Sequence, residues 1–257
     1  MSDVKSFWDS RAADPSLDAA QVTHPDVWQR WLEIETIKRL VSPRDRVIDI
    51  GCGAGYATRQ LASCVAEILG TDYSSGMIAR ARADRDGVPP NARFEVADVL
   101  ELSPDKFGLF DVAMSVRCLI NLPDWKTQQR ALTNIARIVR PGGLYVFVEG
   151  SRDGRAALNR LREAAGLEAM PTVWHNLDFE RTELLGFLDG YFTLEREIGF
   201  GTYDLIARVA HPLLVAPNAP TYTAKINEIA ARIALERPDD LDISRVAVFC
   251  LRRRQSK

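Results

Sequence analysis

Val47-Ile48-Asp49-Ile50-Gly51-Cys52-Gly53-Ala54-Gly55 decides the fold of this chain. A short β-branched run, Arg46–Ile50, leads into glycines at alternate positions, and a helix follows with Ala57, Leu61 and Cys64 on one face. Glycines at such a junction let the backbone turn sharply and bring main-chain atoms against a ligand. The spacing does not suit a diphosphate. Tyr56 stands where G-x-G-x-x-G needs its third glycine. Asp49 puts a carboxylate beside the loop, where a pyrophosphate would lie on the helix N-terminus. A nicotinamide oxidoreductase is therefore the disfavoured alternative.

Working outward, strands alternate with helices. Ala66–Gly70 reads as the second strand and ends at Thr71-Asp72; Ser74 or Ser75 caps a helix carrying Met77, Ile78 and Ala81. Arg93–Ala97 is the third strand, followed by Asp98, and Leu109–Ser115 the fourth. Asp124 caps a helix bearing Trp125, Leu132, Ile135, Ile138 and Val139; Pro141-Gly142-Gly143 then turns into a fifth strand, Leu144–Val148. This alternation predicts a parallel, doubly wound α/β sheet with right-handed crossovers. Asp72 lies about 20 residues beyond the glycines, where a carboxylate accepts from ribose hydroxyls. Asp98 with Val99 is placed to meet an adenine ring.

Residues 1–44 form a leading unit. Ser6–Val22 is polar with aromatic anchors at Phe7 and Trp8, and a helix starts near Pro25-Asp26, with Val27, Trp28, Trp31, Ile34, Ile37 and Leu40 at helical spacing, ending at Ser42-Pro43. Residues 45–257 form the main domain. Its last strands, Phe192–Phe200 and Val246–Leu251, are joined by an insert of about residues 201–244 with helical pieces Tyr203–Leu214 and Ala224–Leu235. The insert reads as a cap over the sheet edge and the substrate, or as a dimerisation arm.

The set VIDIGCGAG, GTDYS, FEVADV, DVAMSV and RPGGLYVF, spanning Arg46 to Gly150, resembles the ordered motifs of class I S-adenosylmethionine (SAM)-dependent methyltransferases. SAM carries a sulfonium, an ammonium and a carboxylate but no phosphate, which is compatible with Asp49. The resemblance implies a Rossmann-like, seven-stranded sheet with the last strand antiparallel. It implies that Gly51 and Gly53 approach the methionyl part, Asp72 the ribose, and Asp98 with Val99 the adenine. Ser115 would offer its carbonyl to the ammonium, and Tyr73 and Met77 would pack on the nucleoside. The N-terminal aromatic segment resembles the lid of small-molecule members, with Trp8 and Arg30 as candidates for the methionyl end.

Methyl transfer is an in-line displacement in which the protein supplies alignment and excludes water. A hydroxyl acceptor also needs a base. Of the three histidines, His175 is the candidate catalytic residue, ahead of His24 and His211. Arg117 and Trp174 are candidate substrate contacts, Arg117 for an anionic group, and Glu149 is a second polar wall. The Asn/Asp-Pro-Pro-Tyr signature of amino-methylating families is absent after the fourth strand, where Ser115-Val116-Arg117-Cys118 stands. No acid cluster suggests a metal.

A net charge of −2 argues against a nucleic-acid substrate. No apolar run reaches membrane-span length, and the first ten residues carry no apolar signal core. Cys52, Cys64, Cys118 and Cys250 form no metal or CxxC pattern and read as reduced cytoplasmic thiols. The later segments loosely resemble methyltransferases of surface-sugar and secondary-metabolite pathways. The expected activity is SAM-dependent methylation of a small-molecule hydroxyl. The alternatives are N- or carboxyl-methylation and a non-catalytic SAM-binding scaffold. The expected partners are a small-molecule substrate and a second copy of the chain as homodimer.

Overall fold

The computed structural model describes residues 2–19, 21–83, 87–237 and 242–255. Strand β1 (Arg46–Ile50) lies in the middle of the sheet, and Val47 to Ile50 are all buried. Both faces of a parallel sheet are covered, so its strands run as continuous apolar stretches. β2 (Glu67–Asp72) and β3 (Ala92–Val96) extend the sheet to one side; β4 (Phe110–Val116) and β5 (Val139–Gly150) extend it to the other, all parallel. β6 (Phe192–Gly199) and β7 (Val246–Arg253) complete the order β3-β2-β1-β4-β5-β7-β6. β7 is antiparallel to both neighbours, as expected. The chain reverses direction across the sheet between β1 and β4, which opens a crevice at their carboxyl ends.

The helices are α1 (Ser2–Ala13), α2 (Val27–Lys38), α3 (Tyr56–Ala62), α4 (Ser75–Arg82), α5 (Pro104–Phe107) and α6 (Trp125–Ile138), then α7 (Arg152–Ala164), α8 (Arg181–Leu188), α9 (Gly201–Asp204), α10 (His211–Val215) and α11 (Lys225–Glu236). Alternate residues of the central strands feed two cores. Ala113, Tyr145 and Phe147 pack with Leu132, Ile135 and Leu188 on one face. Val112, Met114, Val146 and Val148 pack with Leu32, Ile37, Leu61, Tyr203 and Ala230 on the other.

Several element limits differ from the sequence expectation. The polar segment around Phe7 and Trp8 is helical as α1. It is fastened by Arg80, which donates to the Ala12 and Asp14 carbonyls at 3.2 and 2.9 Å. β2 continues to Asp72 because Thr71 pairs with Ile50 and Asp72 with Val96. β5 includes the Pro-Gly-Gly turn residues, with the ladder irregularity falling between Phe110 and Val112 of its partner strand. α7 and α8 fill the β5–β6 connection, where no helices were expected.

The insert is helical where expected. α9 and α10 are joined by a π-helical stretch, Leu205–Ala210, and residues 238–241 lie outside the described residues. It packs on α2 over one face of the sheet. Tyr203 donates to Asp26 Oδ1 at 2.7 Å, Arg208 pairs with Asp26, and Arg245 reaches both Asp204 and Gln29. Among the described residues no helix is long and apolar enough to cross a membrane, and no cluster of three metal-binding side chains occurs.

Candidate active site

The glycine turn folds over the end of β2, with Gly51 N and Cys52 N both donating to the Thr71 carbonyl at 2.8 and 2.9 Å. Gly51 and Gly53 have φ of +75° and +55°. A Cβ on Gly51 would collide with the Cys118 thiol, and one on Gly53 would lie 2.6 Å from the Thr23 methyl. Both the left-handed backbone and the close neighbours thus require glycine. Asp72 completes the turn: Oδ2 accepts from Gly53 N at 2.9 Å and Oδ1 from Ser74 N at 2.9 Å. Burial lifts its pKa to about 6 against those two bonds. Asp49, buried beneath the turn, accepts from Thr58 Oγ1 at 2.6 Å; burial raises it to about 7, and the Asp72 charge adds to the rise.

These groups form one wall of a cavity with about 900 Å³ of space between its atoms, part of it open to solvent. The opposite wall comes from α2 and the segment after β4. Arg30 donates through Nη2 to Thr23 Oγ1 and the His24 carbonyl, each at 2.9 Å, and its guanidinium lies 5.4 Å from the Tyr56 ring centre. Burial, then the charge of Arg117, lowers its pKa to about 10. Glu33 Oε1 accepts from Arg117 Nη1 at 2.5 Å and Gln29 Nε2 at 3.2 Å. Burial pushes Glu33 up, opposed by Arg117 and Arg30. Arg117, at the end of β4, takes φ +50°, a conformation unusual outside glycine. Asn121 donates to the Arg117 carbonyl at 2.9 Å and accepts from the Trp8 indole at 3.2 Å, so the α1 lid closes on this wall.

Of the residues singled out in the sequence, Asp49, Gly51, Gly53, Asp72, Tyr73, Met77 and Arg117 share this cavity, with Trp8 and Arg30. Asp98 lines an adjoining cavity, with Tyr73 as the side chain common to both; its Oδ1 caps Leu100 N at 2.8 Å. Val99 is buried and lines neither, and Ser115 is buried with Oγ bonded to Tyr145 at 2.8 Å.

His175 and Trp174 do not line the cavity. The connection after β5 carries them to the outside of the lid, where the His175 ring packs against Phe7 and Trp8 at 4.7 and 5.5 Å between centres. Burial, then Arg11, keeps His175 below its usual pKa, and Trp174 is 64% exposed. His211 is buried against Asn227, and burial with Arg117 and Arg30 holds His24 neutral. The described residues of the insert do not line this cavity; they pack over one face of the sheet. Glu33, Tyr56, Cys118 and Asn121 line the cavity without having been marked in the sequence.

Residues 47–143 match the methyltransferase-domain family model. A trans-aconitate 2-methyltransferase of Deinococcus radiodurans is 41% identical over 114 residues, covering 43% of this chain and 40% of that protein. The chain spans 34–57% of the length of the curated relatives it matches. A chain of the complex between the Haloferax volcanii Trm112 methyltransferase activator and a methyltransferase superposes with a TM-score of 0.64 at 19% identity, over 96% of this chain and 98% of that one. The N-methyltransferase NodS of Bradyrhizobium japonicum, in complex with S-adenosylhomocysteine (SAH), gives 0.56 at 16% identity over 97% and 99%. With the strand order and the glycine turn already described, residues 47–143 match a methyltransferase domain and the chain has the fold of these methyltransferase structures.

Proposed function

We propose that the protein binds SAM in this cavity and transfers its methyl group to a hydroxyl oxygen of a small molecule, a sugar or natural-product intermediate. The observation that carries the reading is Asp72: a carboxylate clamped by the Gly53 N–H, at the sheet's reversal point, in one cavity with Asp49 and Arg30. The residues fit the cofactor. Asp72 would accept from the ribose diol, and Tyr73 would separate ribose from an adenine held near Asp98 and Val99. Met77 would pack on the nucleoside, and the Gly51–Gly53 turn would admit the methionyl chain toward Arg30, with the Ser115 carbonyl beneath it. SAM when bound supplies an electrophilic methyl on its sulfonium.

The chain's own contribution is placement. Trp8 and Asn121 close one side and exclude water, and Arg117 and Cys118 form the end of the cavity nearest β4. We assign His175 to support of the lid through Trp8 and Phe7, with Trp174 at its outer edge. A carboxylate acceptor is the second reading, favoured by Arg117 in the cavity and by the trans-aconitate relative.

Incubation with methyl-labelled SAM and a lysate, followed by separation into small-molecule, RNA and protein fractions, tests both. Label in the small-molecule fraction that survives mild alkali is expected. Alkali-labile label would favour an ester and the second reading. Label in RNA, or none anywhere, would reject the small-molecule assignment.

A further inference from the structure

The insert turns its inner side to the sheet and leaves apolar side chains on its outer side uncovered. Six of the twelve large hydrophobic side chains exposed among the described residues lie on it: Leu205, Leu213, Leu214, Tyr222, Ile229 and Ile233. Single exposed apolar residues are ordinary on a protein surface, but such a concentration on one element marks a contact surface. None of the six lines the cavity, so a ligand bound there does not account for them.

α11 carries the pattern most fully. Asn227, Ala230, Ala231 and Ala234 are buried along its inner side. On the opposite side Lys225, Ile229, Arg232, Ile233 and Glu236 follow one another at three- and four-residue spacing, which puts them on one helix face. Ile229 and Ile233 are 47% and 43% exposed, and the Lys225 and Glu236 side chains at the two ends are 74% and 71% exposed.

This face complements its own reverse. A two-fold axis passing between Ala230 and Ala231 sets a second α11 antiparallel to the first. Lys225 then stands opposite Glu236 of the second copy, Ile229 opposite Ile233, and Glu228 opposite Arg232, each pair occurring twice. A parallel pairing would instead set Lys225 against Lys225 and Glu236 against Glu236. Within one chain these charges are held only by surface pairs: Lys225 and Arg232 with Glu228 at 2.9 and 3.0 Å, and Glu236 with Arg39 at 2.5 Å. Such pairs contribute little, so re-pairing across an interface costs little.

We infer that the outer side of α11 is the interface of a homodimer in which two copies of this helix pack antiparallel about a two-fold axis. Ile229 and Ile233 form its centre, and Lys225, Glu228, Arg232 and Glu236 set its direction. The inference is independent of the cofactor reading.

Light scattering on the eluting protein from about 1 to about 100 μM tests it. A single helix pair is a small interface, so micromolar association is expected, with the mass rising from that of one chain toward that of two. The double variant Ile229→Gln, Ile233→Gln should stay monomeric throughout while keeping the wild-type circular dichroism, which shows that it is folded. Lys225→Glu alone and Glu236→Lys alone each set like charges opposite one another at both ends and should weaken association about 10-fold. Equimolar mixing of these two variants puts opposite charges back at both ends and should restore wild-type association, which a role within one chain would not produce. Wild type that stays monomeric at about 100 μM overturns the inference and leaves the face to a different protein. A dimer that survives the double variant has its interface elsewhere and also overturns it. Single variants that associate like wild type, or that do not recover on mixing, overturn the antiparallel pairing.

Discussion

Replacing Asp72 by asparagine should separate ligand binding from folding. In the folded chain both carboxylate oxygens accept from backbone N–H groups at 2.9 Å. Burial nevertheless raises the group from its ordinary 3.8 to about 6. The native state therefore holds an extra proton between those values. Stability from this group is greatest below 3.8, falls as pH rises through the window, and above about 6 carries the whole penalty, roughly 3 kcal/mol. Asparagine removes that penalty at neutral pH. It also turns an amide NH₂ toward one of the two backbone donors, losing a hydrogen bond at a cost of about 1–3 kcal/mol.

The two terms offset, so urea denaturation of the unliganded variant should agree with wild type to within about 2 kcal/mol. The ribose diol, by contrast, loses a charged acceptor worth about 1.5–3 kcal/mol. SAH should therefore bind about 10- to 150-fold more weakly by titration calorimetry. A folded Asp72→Asn protein with wild-type SAH affinity would refute the ribose assignment and the balance of terms behind it.

Four other outcomes are expected. Gly53→Ala forces a Cβ toward Thr23 at φ +55° and should cost more than about 1 kcal/mol in thermal melts and weaken SAH binding; an unchanged melt would mean the turn is slack. Burial raises Glu149 to about 8, so at neutral pH it is mostly protonated while Oε1 accepts from Cys118 N and Leu119 N at 2.9 and 2.8 Å. Glu149→Gln should therefore be nearly neutral in urea denaturation and Glu149→Ala should lose about 2–4 kcal/mol; equal losses would contradict this. His175→Ala should raise KM for SAM with kcat within about threefold, whereas a fall in kcat of about 100-fold or more would make His175 the base. Because Asp49 and Asp72 are raised to about 7 and about 6, SAH affinity should be full above that range and decline as pH falls through it; a flat profile would show that neither carboxylate must be ionised.

What the sequence made legible was local. The strand, glycine turn and helix from Arg46 to Ala62, and the carboxylates that end β2 and follow β3, are each written in one short contiguous stretch. The antiparallel β7 came with the family resemblance rather than from periodicity. The far wall was not legible, because Glu33 and Asn121 are 88 residues apart in sequence and meet only when α2 packs beside β4. Glu33 sits among Val27, Trp31 and Ile34 like any polar residue of an amphipathic helix, and no local signal marks it. α7 went unmarked because it buries only Gly154 and Leu158 among many charges. His175 was judged by residue type and loop position, and the packing of α1, which puts its ring against Trp8 and outside the cavity lining, has no local signal in the sequence.

The central claim is that the cavity between the glycine turn and α2 is built for SAM, and a crystal structure of the protein with SAH tests it directly. The account predicts the ribose diol on Asp72, the adenine past Tyr73 beside Asp98, and the methionyl end toward Arg30. SAH bound elsewhere, or this cavity free of ligand at saturating SAH, would contradict it.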